Sequence, residues 1–330
     1  MDALTQQIQA LGRTAREQTG AADVALLKRL KASTRLSELA GRLCLQFAMG
    51  PWSWLAGVFS LAYYFSVEAQ LNHSIMHGAY LGLPGAGRFT PDRYETLAVP
   101  FQSKTWRDAH RIHHANPSLL GDDPDTIHPL FRMHERQQLR PWHRFNSWLG
   151  ALFTFEHWAF DYDRFLKDKG RRPAADRAEL RKLALYVGYQ YLLFPLLAWS
   201  HWKSVLAGAL LATVIRNLVF TGLQTASSVG HEVSTRHALG FPKRRREDWY
   251  RFQMETSKNF RLQGIARMIC GGLDRHIEHH LYPNLPPNRL HELSGGVREL
   301  CDRHGVRYSE YRSFWASLRD SLSYLHRLSW

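Results

Sequence analysis

LCLQFAMGPWSWLAGVFSLAYYFSVEAQLNHSIMH, residues 43–77, is the stretch on which the fold turns. From Leu43 to Leu71 its only charge is Glu68, and Gly50-Pro51 interrupts it once. An apolar run broken by one turn dipeptide predicts a tight helical hairpin. One arm would reach Met49, turn at Gly50-Pro51-Trp52, and return through His77. Even counted back to Leu36, the first arm is short for a span. Trp52 and Trp54 would anchor the far membrane interface. From Trp52 to His73 a helix rises about 32 Å at ~1.5 Å per residue, against a hydrocarbon core of about 30 Å. The return arm therefore lifts His73 and His77 to the opposite surface.

A second apolar block predicts a second hairpin. Leu183–Ser200 carries no charge, His201-Trp202-Lys203-Ser204 follow, and Val205–Gly230 has only Arg216. Arg216 would lie roughly 20 Å from the turn, placed to snorkel to the near interface or to meet a substrate headgroup. The two far-side turns contain one lysine, so nearly all remaining Lys and Arg fall on the other side, which the positive-inside rule makes cytosolic. The expected fold is all-α and integral to the membrane. It has two transmembrane hairpins, about four helices, beneath a helical cytosolic cap that holds a two-metal site. Residues 1–38 read as a polar lead-in with a weak stripe of Leu26, Leu27, Leu30 and Leu36. Residues 39–293 form the membrane domain with its cap, and 294–330 an amphipathic tail. Phe145–Phe160 is aromatic but too short to span, and is expected to lie in the interface.

Composition sets the limits. The 330 residues are 45% hydrophobic and include 11 Trp, yet mean hydropathy is −0.36. That is too polar for a chain lying wholly in lipid, while the apolar runs exclude a wholly soluble one. The net charge of +14 favours an anionic neighbour: lipid headgroups, an acidic redox partner or a phosphate-bearing carrier. The one dense basic run, Lys243-Arg244-Arg245-Arg246, has no nucleic-acid motif beside it, so it reads as a solvated loop and nucleic acid is not an expected partner. Cys44, Cys270 and Cys301 are too few and too scattered for a disulfide framework or a thiolate metal site. No charged n-region with a cleavage site opens the sequence, so a removable signal peptide is not expected.

The chemistry lies in the histidines. Of 18, eight fall into three clusters: His73-Ser-Ile-Met-His77, His110-Arg-Ile-His113-His114 and His276-Ile-Glu-His279-His280. Helical residues at i, i+3 and i+4 share a face, so each cluster aims its imidazoles one way. Eight nitrogens exceed what one transition metal needs and suit two. Such a pair beside a bilayer points to oxidation of an unactivated C–H bond in a long hydrocarbon chain. The isolated histidines (His128, His134, His143, His157, His201, His291, His304, His326) read as surface or packing residues. Asp108 and the Asp122/Asp123/Asp125 group could orient ligand imidazoles. Glu278, at i+2 from His276, points to another face, where it meets solvent or orients a ligand.

The boxes HxxxH, HxxHH and HxxHH, in this order and beside two hairpins, resemble those of the membrane fatty acid desaturases. Their surroundings agree: residues 110–125 read HRIHHANPSLLGDDPD, and 276–290 read HIEHHLYPNLPPNRL. The latter is similar to the QIEHHLFP region of the linoleoyl-CoA and front-end branch. The resemblance covers about Leu43 to Leu293. It implies a non-haem di-iron enzyme that uses O2 and inserts a double bond into an acyl chain carried on CoA, acyl carrier protein or lipid. Carried over by position, the ligands are His73, His77, His110, His113, His114, His276, His279 and His280. The wider family uses one more histidine after the last membrane helix, for which His231 is the candidate and His237 the competitor. His276 stands where the front-end branch has Gln, so that branch's substrate rules do not transfer. No HPGG haem motif occurs, so the electron donor is expected to be a separate ferredoxin or cytochrome b5. Two alternatives stay open: a hydroxylase on the same scaffold, and a zinc-binding membrane receptor or hydrolase.

Overall fold

A stem of two helical hairpins carries a cap of shorter helices. The computed structural model describes residues 3–126, 132–145, 149–171, 177–233, 236–237 and 246–330, and is mostly helical. His128 and the basic residues 243–245 lie outside the described residues. In chain order the helices are α1 (Ala3–Glu17), α2 (Ala21–Gln46), α3 (Pro51–Met76), α4 (Ser103–Ala115), α5 (Leu149–Leu152), α6 (Thr154–Asp168) and α7 (Ala178–Val187). Then come α8 (Phe194–Ala198), α9 (Trp202–Ser228), α10 (Arg246–Glu255), α11 (Gly264–Cys270), α12 (His276–Leu281), α13 (Pro287–Arg303) and α14 (Phe314–Leu328). Two short parallel strand pairs tie the cap: β1 (Leu119–Leu120) with β2 (Arg236–His237), and β3 (Asn259–Phe260) with β4 (Glu310–Tyr311).

The first hairpin is α2 against α3, antiparallel. Its turn is where Gly50-Pro51 predicts it, with proline in the first turn of α3. The first arm, however, is far longer than expected: α2 begins at Ala21, inside the stretch read as a polar lead-in. Hydropathy counts Lys31, Glu38 and Arg42 against a packed arm, yet all three are buried. Lys31 pairs with Glu68 of α3, Thr34 donates to the same carboxylate at 3.0 Å, and Arg42 bonds Gln190. Buried charge is tolerated when paired, as Lys31 is, while the Arg42 guanidinium lies over the Phe194 ring, 4.1 Å from its centroid. Pairing across a hairpin is non-local, so a count along the chain misses it.

The second hairpin also forms. Residues 178–228 are helical in two arms, and together are the one stretch among the described residues long and apolar enough to cross a membrane by length and composition. It doubles back at Trp199, whose φ is +47°, and Tyr191 on one arm bonds Thr213 on the other at 2.7 Å. The two hairpin turns meet at one end of the stem. Trp54 Nε1 donates to the Ser204 carbonyl at 3.0 Å, and His201 Nε2 to that of Gln46 at 2.7 Å. Leu45 is clamped between two glycines: a Cβ on Gly57 would lie 2.9 Å from its Cγ, and one on Gly208 2.6 Å from its Cδ2. This lets α2, α3 and α9 approach closely. Outward-facing Leu36, Leu39, Leu43, Phe59, Leu185 and Leu196 are exposed, the kind of apolar surface that marks a lipid or partner contact.

Arg216 corrects the sequence expectation. It neither snorkels nor offers itself to a headgroup, because it is fully buried. Its guanidinium donates to the Ala98 carbonyl at 2.9 Å, to Glu156 of α6 at 2.7 Å and to Asn217 at 2.9 Å. Asn217 donates to the other Glu156 oxygen at 2.8 Å. The guanidinium thus bolts α9 to α6. The segment expected in the interface is likewise split: Phe155 and Trp158 pack in the core, while Phe153 and Phe160 face outward. The C-terminal residues pack as two helices, with Ser317 and Ser321 of α14 donating to the last carbonyls of α9.

Candidate metal centre

Three helices deliver the eight box histidines to one point above the stem. The end of α3 and its cap bring His73 and His77, one turn apart. α4 brings His110, His113 and His114, and the short α12 brings His276, His279 and His280. The imidazoles sort into two groups whose nitrogens lie within 4.8 Å of one another: His73, His77, His110, His114 and His279, and separately His113, His276 and His280. All are buried except His77, which is half-buried.

The nitrogens face each other in too many directions for every contact to be a hydrogen bond. His73 Nε2 lies 3.2 Å from His110 Nε2 and 3.1 Å from His279 Nε2, and His110 Nε2 is again 3.2 Å from His114 Nε2. In the second group His276 and His280 put their Nε2 atoms 2.9 Å apart. A neutral imidazole has one N–H, so one nitrogen cannot serve two such contacts as donor and leave its neighbours satisfied. Ligands at right angles on one metal, each at about 2.05 Å, stand about 2.9 Å apart, and at tetrahedral angles about 3.3 Å. The spacing is that of a ligand set. His77 Nε2 and His113 Nε2 are likewise buried, with no hydrogen-bond partner. The residues therefore fit two metal ions.

Outer groups hold the rings. Asp123 accepts from His113 Nδ1 at 2.9 Å and Asp125 approaches it at 3.5 Å, turning His113 Nε2 toward the second group. Asp125 is fixed in turn by the Tyr162 hydroxyl at 2.9 Å. Gln253 of α10 accepts from His280 Nδ1 at 2.8 Å and donates to the His114 carbonyl at 2.9 Å, linking the second and third boxes. Trp106 stacks on His110, centroids 4.2 Å apart. Ser228, at the end of α9, places its hydroxyl 3.1 Å from His276 Nε2. Burial, and after it the neighbouring imidazoles, hold His110, His114, His276, His279 and His280 well below the ordinary histidine range. They are neutral, the form that binds metal. Burial opposes charge on His113 as well, but Asp123 and Asp125 outweigh it and lift that group to about 9.

Other expected residues are placed apart. Asp108 is half-exposed beside Arg107, and Asp122 pairs with Lys169 at 3.1 Å; neither reaches an imidazole of the two groups. Glu278 is fully buried rather than solvent-facing. It accepts from Asn259 and the Tyr308 hydroxyl, both at 2.7 Å, and so pins α12 to β3 and the C-terminal segment. Burial pushes its carboxyl up, against those two bonds. His231 is exposed, its ring 5.4 Å from that of Tyr324, outside both groups. His237 sits in β2, its main chain paired with Leu120. Gln253, Ser228 and Asn259 escape sequence reading because nothing in their neighbourhoods marks them; only the fold brings them to the histidines.

Comparison with known proteins gives the same direction. The profile of the fatty acid desaturase family matches residues 51–312. The NADPH-dependent stearoyl-CoA 9-desaturase of Mycobacterium tuberculosis is 29% identical over 343 residues, covering 96% of this chain and 78% of that protein. The sn-1 linoleoyl-lipid 6-desaturase of Synechocystis sp. is 27% identical over 276 residues, 78% of this chain and 76% of that one. The Delta(5) fatty acid desaturase A of Dictyostelium discoideum is 23% identical over 281 residues, 78% and 60% respectively. With that profile matched from the first turn of α3 to just beyond β4, the chain is an oxidoreductase belonging to the fatty acid desaturase family.

Proposed function

We propose that this protein removes two hydrogens from neighbouring carbons of a long acyl chain. It would do so at two irons held by His73, His77, His110, His113, His114, His276, His279 and His280. The balance is R–CH2–CH2–R′ + O2 + two electrons + two protons → R–CH=CH–R′ + two H2O, with the electrons coming from a separate one-electron donor protein. The observation that carries this reading is two adjoining groups of buried imidazoles at the cap end of two helical hairpins, the second of them apolar and long enough by composition to cross a membrane. Bound iron would supply O2 reduction and C–H cleavage, which side chains alone cannot. The chain's own residues fix the rings through Asp123, Asp125 and Gln253, and exclude water through Trp106 and the surrounding core. The second group has three imidazoles against five. His231 follows Ser228 by three residues, about 10 Å of extended chain, and is our candidate for a further ligand. The names of the relatives, one acting on stearoyl-CoA and one on linoleoyl lipid, support an acyl chain on CoA or lipid as substrate class. Both hairpins would cross the membrane, with their joined turns on the far side and the cap in the cytosol.

The test is acyl-chain profiling by mass spectrometry, with and without expression of the protein, alongside metal analysis. A product lighter by two hydrogens, with two irons per chain, is expected. A product heavier by one oxygen would make the enzyme a hydroxylase. One zinc and unchanged acyl pools in the presence of a competent donor would overturn the proposal.

A further inference from the structure

Of the three elements that carry box histidines, only α4 turns a face to solvent among the described residues. The histidine-bearing turns of α3, residues 66–76, and the whole of α12 are buried. On α4, by contrast, Lys104, Arg111 and Ala115 are exposed, while Trp106, His110, His113 and His114 are buried. Lys104, Arg107 and Arg111 recur at a spacing of three and four, so they form one stripe along the outer face. Arg107 is paired with Asp92 at 3.0 Å and approaches Asp108 at 3.5 Å. Lys104 and Arg111 have no carboxylate partner among the described residues.

Beside this stripe, an open cleft of about 530 Å³ runs between α4 and the end of α6. Arg111 lines it from α4 and Arg171 from just beyond α6, both exposed and without a carboxylate partner among the described residues. Ile112 and Leu166 supply apolar lining, and Asp108 a carboxylate. Arginines around a small apolar patch are the pattern of a protein docking face. Asp108 repels a polyphosphate, whereas a protein surface can set single carboxylates against single guanidiniums. The way inward from here is short. An α-helix with its side chains is about 10–12 Å across. Trp106, two residues beyond Lys104, stacks on His110 and meets His73 and His77, with ring centroids 4.2, 5.1 and 6.1 Å away.

We propose that the face made by Lys104, Arg111 and Arg171 is where the electron donor docks, and that the donor is a small protein with an acidic surface around its redox group. Electron transfer weakens exponentially with distance, so a donor too large to enter the cap works best where one helix alone separates it from the imidazoles. Among the described residues α4 is that helix. Each docking event delivers one electron as the donor passes from its reduced to its oxidised form, and two events supply the pair that the balance above consumes. Encounters of this kind bury little area, which suits three cations around a small cleft. This inference rests on the desaturase reading above and adds the place at which its donor binds.

Binding tests it without requiring turnover. The full-length, metal-loaded protein in detergent is mixed with an oxidised two-iron, two-sulfur ferredoxin of acidic surface, and in parallel with a soluble cytochrome b5. A carbodiimide, which joins a carboxylate to a lysine amine, should link a bound donor to Lys104, as mapped by mass spectrometry of the peptides. Arg111→Glu and Arg171→Glu should each weaken donor affinity about tenfold at unchanged metal content. Arg303→Glu on α13, which packs on α1 and α12, makes the same change in net charge and should weaken it less than about twofold. Links at other lysines alone, equal affinity of wild type and Arg111→Glu, an equal loss in Arg303→Glu, or no binding of either donor would overturn the proposal. A donor linked at Lys104 on a protein that leaves acyl pools unchanged would support the docking face while refuting the desaturase reading. Desaturation with the donor linked elsewhere would do the reverse.

Discussion

At the residue scale the site depends on which nitrogen each imidazole turns inward. Asp123 and Gln253 occupy the outer Nδ1 of His113 and His280, so these rings offer Nε2 to the centre. Replacing His113, His114, His279 or His280 with Ala should abolish turnover and lower bound iron, because no other box has a nitrogen to spare. His231→Ala should lower iron in the second group alone. Iron analysis with a turnover assay decides, and full activity in two of the box variants would remove the two-metal reading. Arg216 makes a separate point. Breaking a buried ion pair by removing one partner costs about 3–5 kcal/mol, so Arg216→Ala should unfold markedly earlier in detergent. A headgroup contact would instead leave stability intact and weaken substrate binding. The boxes were legible because helical spacing is local, and Asp123 because it lies ten residues from its partner. Arg216 and Gln253 were not, since their partners lie 60 and 27 residues away.

At the scale of elements, hydropathy found the second hairpin and the turn of the first, and misplaced the start of α2. Its error was physical: Lys31 and Arg42 look like surface charges until Glu68 and Gln190 are brought to them. The same non-local pairing organises the cap at Glu310 of β4. Arg275, Arg261 and Arg298 converge on this carboxylate, two of them at 2.6 and 3.1 Å. Burial alone would raise its pKa, but the three guanidiniums hold it at about 2. The unfolded chain protonates near the ordinary value of 4.5, so the contact stabilises fully above that pH and is lost as pH falls toward about 2. Glu310→Gln should therefore be less stable at neutral pH and show a flatter acid-unfolding profile between those limits. Unchanged slopes would mean that the three arginines find other partners.

For the whole molecule, the charge of +14 belongs chiefly to the cap, because the joined hairpin turns carry only Lys203. An acidic one-electron donor should be drawn to that face across a Debye length of about 10 Å at 0.1 M salt. Its apparent second-order rate constant should fall steadily as salt rises. A flat profile with a competent acidic donor would place docking elsewhere, and full turnover on NADPH alone would dispense with the donor. The buried Nε2 atoms of His77 and His113, which no protein group satisfies, bear on the life of the protein in the cell. A cap assembled from three distant boxes is held by whatever fills its centre, and a ligand that binds only the folded state stabilises that state by mass action. Where degradation follows the population of opened chains, and with iron in that centre as proposed, iron supply would set how long each copy survives. Cells starved of iron should lose the protein itself, visible as a shortened half-life in a pulse-chase, while its messenger stays constant. A half-life indifferent to iron would show that the cap stays closed without it.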